Sequence, residues 1–345
     1  MTPLQTPAQS RLAAPHPAGP SVTEHRRAIG DILDGTDDRL LVITGPCSAH
    51  EETAMVEYAH GLAEAAARFA DDLLVVVRVY TEKPRTRLGW PGMLLDPGMD
   101  GGHDVPGGIA RVRAMLSSVA ETGLPIAAEF VDPMLTPFTS DLIAWGGIGA
   151  RTVESPVHRR MASALPMPIG VKNRTDGAVA PAIDAIAAAR ARQPVVTLDD
   201  AGRPVCLDSP GNRHAHLVLR GGETGPNYEG DVIADAAEAL AALGAPSRVV
   251  VDCSHGNSGK DHRRQPQVAS AVAARVADGG RDVAGVMLES FLHEGSQSIG
   301  GALRHGVSVT DSCLSLGRTT EVIEELADAA RCRLGRTATA GSARS

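Results

Sequence analysis

The chain has 345 residues, 43% of them hydrophobic and only 3% aromatic, with a formal charge of −8 at pH 7. That acidity argues against a protein that coats nucleic acid or anionic membrane through its overall field, while leaving room for a small basic pocket. Apolar runs far shorter than a membrane span, no basic-then-apolar leader, and five cysteines without CxxC spacing predict a cytoplasmic protein with reduced thiols.

Residues 1–36 read as a Pro- and Ala-rich arm with a lead-in helix, 37–335 as one domain, and 336–345 as a flexible polar tail. Within the domain, eight short apolar runs alternate with Ala-rich segments of helical spacing. The runs are 40–44, 73–80, 125–131, 149–153, 168–172, 216–220, 248–252 and 284–289. Most are nearly continuous in Val, Ile and Leu, as parallel strands covered on both faces should be. Eight such repeats predict an α/β fold of the closed (β/α)8 barrel type, with an N-terminal extension. An open doubly wound sheet is the alternative, although no GxGxxG follows the first run. An extra stretch, "QPVVTLDDAGRPVCLDSPGN", reads as a small β-hairpin inserted before the sixth strand.

In such a barrel the chemistry gathers where the strands end. The first run ends at Cys47, the second at Arg78 followed by Lys83 and Arg85, and the third carries Glu129. Arg151 and Lys172 follow on the fourth and fifth, Arg220 closes the sixth, and Asp252 and His255 close the seventh. Glu289 ends the eighth, and the loop beyond adds Asp311. Two groups separate by chemistry. Arg78, Lys83, Arg85, Arg151, Lys172 and Arg220 would repel one another at one mouth unless a multiply charged anion, such as a phosphorylated carboxylate, lay between them. Cys47, His255, Glu289 and Asp311 offer one thiolate, one imidazole and two carboxylates, a mixed set suited to Mn²⁺, Fe²⁺, Co²⁺ or Zn²⁺. Singly, each position has an ordinary reading: a buried small cysteine, a hydrogen-bonded histidine, a surface arginine. Their coincidence at strand ends points to a metal-dependent enzyme acting on phosphorylated anions.

The blocks "GPCSAH", "RVYTEKPRTRLGWPG", "GARTVESPVHR", "GVKNRTDG", "LRGG" with "PNY", "DCSHGNSGK", "GVMLESFLHEGSQ" and "TDSC" occur in one order along the chain. Together they resemble the class I 3-deoxy-D-arabino-heptulosonate 7-phosphate (DAHP) synthases, first enzymes of the shikimate pathway. The resemblance covers residues 25 to 333 and implies condensation of phosphoenolpyruvate with D-erythrose 4-phosphate, releasing phosphate. It implies one divalent metal ion per subunit, held by Cys47, His255, Glu289 and Asp311. Phosphoenolpyruvate would meet Arg78, Lys83, Arg151, Lys172 and Arg220, with Glu129 lining the pocket. Arg85 and Thr86 would meet erythrose 4-phosphate, and Lys172, Arg78 and His255 form the expected catalytic set. The expected assembly is a homodimer or homotetramer. A related aldolase using arabinose 5-phosphate and a catalytically silent paralogue are the competing readings.

Overall fold

The structure is a computed structural model and describes residues 2–18 and 21–342. Eight parallel strands form its centre: β1 (Leu40–Gly45), β2 (Leu73–Arg78), β3 (Ile126–Glu129), β4 (Trp145–Ile148), β5 (Ile169–Lys172), β8 (His216–Leu219), β9 (Val249–Asp252) and β10 (Val283–Phe291). β1 pairs in parallel with both β2 and β10, so the ring closes and the open-sheet alternative is excluded. The inserted hairpin is β6 (Gln193–Leu198) and β7 (Pro204–Ser209), antiparallel from Gln193–Ser209 to Leu198–Pro204. A two-residue strand, β11 (Leu314–Ser315), extends the end of β10.

Helices α3 (Glu52–Ala67), α4 (Val105–Ala120), α5 (Pro156–Ala164), α6 (Ala180–Arg190), α7 (Gly230–Ala242), α9 (Gln265–Ala277) and α10 (Leu316–Ser342) connect and cover the strands. A single turn, α8 (His255–Ser258), follows β9 directly. The backbone of residues 336–342, assigned to the tail by the sequence, continues α10, and 343–345 lie outside the described residues.

Two lead-in helices precede the barrel. α1 (Pro7–Ala13) is held at the hairpin by the Arg11–Asp200 ion pair, and Arg113 anchors the chain after it through the Ala14 carbonyl at 3.1 Å. α2 (Val22–Asp34) starts in a reciprocal cap, with Ser21 and Glu24 bonding each other's backbone N–H, and stops at the left-handed Gly35. Its buried Ile29, Ile32 and Leu33 join Leu41, Ile43, Val76, Trp145, Val218, Val250 and Met287 inside the ring. α2 therefore closes the N-terminal end of the barrel, and only the C-terminal end opens as a mouth.

One strand was misplaced by the sequence. The fourth is Trp145–Ile148, whereas 149–153 forms the turn after it. Gly146 and Gly147 hid it, and packing demands both. A Cβ on Gly146 would lie 2.5 Å from Ile169 Cδ1, and one on Gly147 would lie 3.0 Å from the Tyr80 hydroxyl.

Candidate active site at the barrel mouth

The strand ends converge on a polar cavity of about 210 Å³. Cys47, Arg78, Lys83, Arg85, Glu129, Arg151, Lys172, Arg220, His255 and Asp311 all line it. Thr86 lies in an adjoining cavity of about 940 Å³, which shares Arg151, Arg220 and His255 with the first. Glu289 lines neither and sits directly behind Arg78.

At one corner, ligand atoms of Cys47, Glu289 and Asp311 lie within 4.8 Å of one another. His255 falls outside that set, but its Nε2 is 3.7 Å from Glu289 Oε1. One soft sulfur, two carboxylates and an adjacent imidazole are the donor set a borderline divalent ion accepts, so these residues fit such an ion. The supports of the corner are built from backbone and side chains alike. Gln265 donates to the Glu289 carbonyl at 3.0 Å and accepts from its N–H at 2.8 Å. Ser48 and Thr310 hydroxyls, 2.7 Å apart, tie the Cys47 turn to the loop bearing Asp311. The backbone N–H of Cys47 donates to Cys313 Sγ at 3.3 Å.

Charge is balanced unevenly around the cavity. Arg78 donates to Glu289 at 2.8 Å, and both side chains are almost fully buried. Lys172 donates to Asp252 at 2.7 Å, and Lys83 reaches both the Cys47 carbonyl at 3.0 Å and its sulfur at 3.3 Å. Among the described residues, Arg85, Arg151 and Arg220 bond only neutral oxygens, those of Trp90, Thr86 and Gly221.

The pKa directions follow. Burial pushes the Cys47 thiol up and the Glu289 charge adds to this, with Lys83 opposing. Burial would raise Glu289, but His255 and Arg78 hold it below the usual carboxylate range. Burial likewise opposes ionisation of Asp252, yet Lys172 and His255 hold it well below its ordinary value. Burial lowers Arg220 against the pull of Asp252.

Asp252 is the residue whose part the sequence did not reveal. It stood at a strand end among many, and only the fold shows it bridging Lys172 and His255 Nδ1, at 2.7 and 3.0 Å. The Ser254 hydroxyl, 2.7 Å from Nδ1, shares that contact, while Nε2 faces Glu289. Lys260, in the left-handed region at φ 63°, lines both cavities and was also passed over. So were three buried asparagines. Asn173 accepts from Arg220 N–H at 2.8 Å, Asn227 accepts from Gly221 N–H at 2.7 Å, and Asn257 accepts from Asn227 N–H at 2.8 Å. They fix the Arg220 loop against β5 and α8. Their signal was position alone, inside the "VKNR", "PNY" and "HGNSG" blocks.

Comparison with known proteins decides the family. The model of the DAHP synthetase I family matches residues 11–324. The chain belongs to the DAHP synthetase I family. It is accordingly an enzyme, a transferase of the 3-deoxy-7-phosphoheptulonate synthase class (EC 2.5.1.54). It is 47% identical over 329 residues to the Trp-sensitive phospho-2-dehydro-3-deoxyheptonate aldolase of Enterobacter agglomerans, covering 94% of each chain. It is 44% identical to the Tyr-sensitive enzyme of Escherichia coli K12, covering 94% of this chain and 92% of that one. Among solved structures, the phospho-2-dehydro-3-deoxyheptonate aldolase of Francisella tularensis SCHU S4 superposes with a TM-score of 0.92 at 37% identity. That match covers 96% of this chain and 98% of the other.

Proposed function

We propose that the chain catalyses a metal-dependent condensation of phosphoenolpyruvate with D-erythrose 4-phosphate, giving 3-deoxy-D-arabino-heptulosonate 7-phosphate and inorganic phosphate. One observation carries this reading: a strand-end cavity lined by seven lysine and arginine side chains lies against the corner of Cys47, Glu289 and Asp311. Two phosphorylated substrates bring the negative charge that such a wall requires.

In this reading Arg78, Lys83, Arg151, Lys172 and Arg220 hold phosphoenolpyruvate, with Glu129 lining its pocket. Arg85 and Thr86 meet erythrose 4-phosphate. Cys47, His255, Glu289 and Asp311 hold one Mn²⁺, Fe²⁺, Co²⁺ or Zn²⁺, which when bound supplies Lewis-acid polarisation of the aldehyde oxygen. The cations offset the mutual repulsion of the substrates and fix C3 of phosphoenolpyruvate against the aldehyde carbon. The new C–C bond uses the enol π pair and leaves cationic character at C2, while the aldehyde oxygen gains a proton. Water adds at C2 and loses a proton, and the C2–O bond then breaks, so the bridging oxygen leaves with phosphate. In this reading Lys172 moves these protons, with Arg78 and His255 completing the catalytic set; the Lys172–Asp252 bond at 2.7 Å supports it.

Phosphoenolpyruvate carrying ¹⁸O in its bridging position tests the chemistry. Label in the released phosphate, with release requiring erythrose 4-phosphate, is expected. Label retained in the sugar, or equal rates with arabinose 5-phosphate, would contradict it.

The same reading takes 37–335 as one catalytic barrel carrying 1–36 as its lead-in, and places the protein in the cytoplasm. Among the described residues no helix is long and apolar enough to cross a membrane. Exposed Val196, Leu207, Val157 and Met134 border one cavity beside the hairpin. Such an apolar patch supports assembly as a homodimer or homotetramer, which light scattering would register as twice or four times the chain mass.

A further inference from the structure

The end of the barrel away from the mouth carries a second concentration of positive charge. A polar cavity of about 490 Å³ there is lined by Asp34, Gly35, Arg190, Arg213, Arg248 and Arg281. Arg248 immediately precedes β9, and Arg281 lies two residues before β10, so both stand at strand beginnings. Asp252 and Glu289, on the same two strands, mark the catalytic end.

Four guanidiniums face three carboxylates, one of which, Asp37, is paired with Arg39 outside the cluster. Asp34 is already engaged by Arg213 and His214, and Asp38 by Arg281 at 3.3 Å. Arg190 is held by the carbonyls of Arg213 and Gly244. Arg248 is only 7% exposed, and its Nη1 donates to the Ile32 carbonyl at 3.1 Å, near the C-terminus of α2. That cap occupies one of the five N–H donors of a guanidinium. The group is also fixed from the side. Gly35, at φ 78°, brings its Cα so close that a Cβ would lie 3.1 Å from both Cζ and Nη2 of Arg248. Burial holds Arg248 below its ordinary pKa, with Asp38 opposing and the nearby Arg281 charge adding to the shift. In a chain of net charge −8, this is a pre-arranged and under-compensated cation cluster with room for a ligand.

We propose that this cleft is a second anion site, remote from the mouth, that binds a small polyanion bearing phosphate groups or several carboxylates. Bound there, the anion joins the end of α2 to the segments leading into β8, β9 and β10. Planar guanidiniums converging from separate segments suit oxyanions with several acceptor oxygens.

Calorimetric titration of the full chain with inorganic pyrophosphate, and separately with citrate, tests the site and distinguishes the two chemistries. The variant Arg213→Ala with Arg281→Ala removes one largely exposed and one half-exposed side chain, both far from the mouth, so it should fold and keep its phosphate-release rate. Two bound anions per wild-type chain are expected, one displaced by phosphoenolpyruvate and one not. The variant should lose the second, weakening it at least tenfold, about the value of one charge-assisted hydrogen bond. Added KCl should weaken the second site as well. A single site fully displaced by phosphoenolpyruvate, or unaltered binding in the folded variant, would overturn the proposal.

Discussion

The cations of the mouth fall into two sets that share a cavity but not a role. Arg78, Lys83 and Lys172 are bound by groups of the chain itself: Glu289, the Cys47 sulfur and Asp252. Among the described residues Arg85, Arg151 and Arg220 form no ion pair. The paired set holds the thiol–carboxylate corner in shape, and a buried acid left without its cation is costly. The unpaired set leaves positive charge over for the substrates. A cation bound to an internal acid is already half spent, so in the proposed reading the arginines that touch only neutral oxygens contribute more to anion binding than Arg78, Lys83 and Lys172 do.

The strongest way to break this comparison is to remove a member of the corner that both sets surround. Cys47→Ala should abolish phosphate release, lowering kcat by about a thousandfold or more, and bound metal by mass spectrometry should fall with it. The comparison itself is sharpened by a pair of arginine variants. Arg78→Ala strands a buried Glu289 and should cost about 3–5 kcal/mol of stability in denaturant unfolding. Arg151→Ala should change stability by less than about 0.5 kcal/mol yet reduce kcat/KM for phosphoenolpyruvate by roughly ten- to a hundredfold. Equal stability losses in the two variants would erase the distinction.

A smaller effect is expected at Glu82, the buried neighbour of Lys83. It forms no ion pair among the described residues, and its carboxyl accepts from Val131 and Asp132 N–H at 3.4 and 2.8 Å. Burial raises its pKa from 4.5 to about 8, the reverse of the paired acids. The folded state therefore keeps a proton that the unfolded chain releases, so this residue costs stability progressively as pH rises from 4.5 towards 8. Denaturation midpoints of Glu82→Gln relative to wild type should improve across that window. A constant difference would show that the carboxyl is already ionised.

The ring of strands and the mouth residues were legible because buried parallel strands are written as unbroken apolar runs and chemistry begins where those runs stop. Trp145–Ile148 escaped because two glycines, needed for close packing against Ile169 and Tyr80, erase the apolar signal of a strand. Arg151 still reached the cavity, since it lies in the turn that follows. Asp252 escaped for another reason: a strand-end carboxylate looks the same whether it faces substrate or clamps Lys172 and His255. Only the arrangement in space separates those roles. The N-terminal cleft was invisible because Arg190, Arg213, Arg248 and Arg281 are scattered in sequence and stand before strands, where no pattern announces a site.

The most direct test of the central claim is phosphate release by metal-stripped protein supplied with phosphoenolpyruvate and erythrose 4-phosphate. No release is expected until Mn²⁺, Fe²⁺, Co²⁺ or Zn²⁺ is added, and full release afterwards. Undiminished release in the stripped protein, or none with any of these ions, would contradict it.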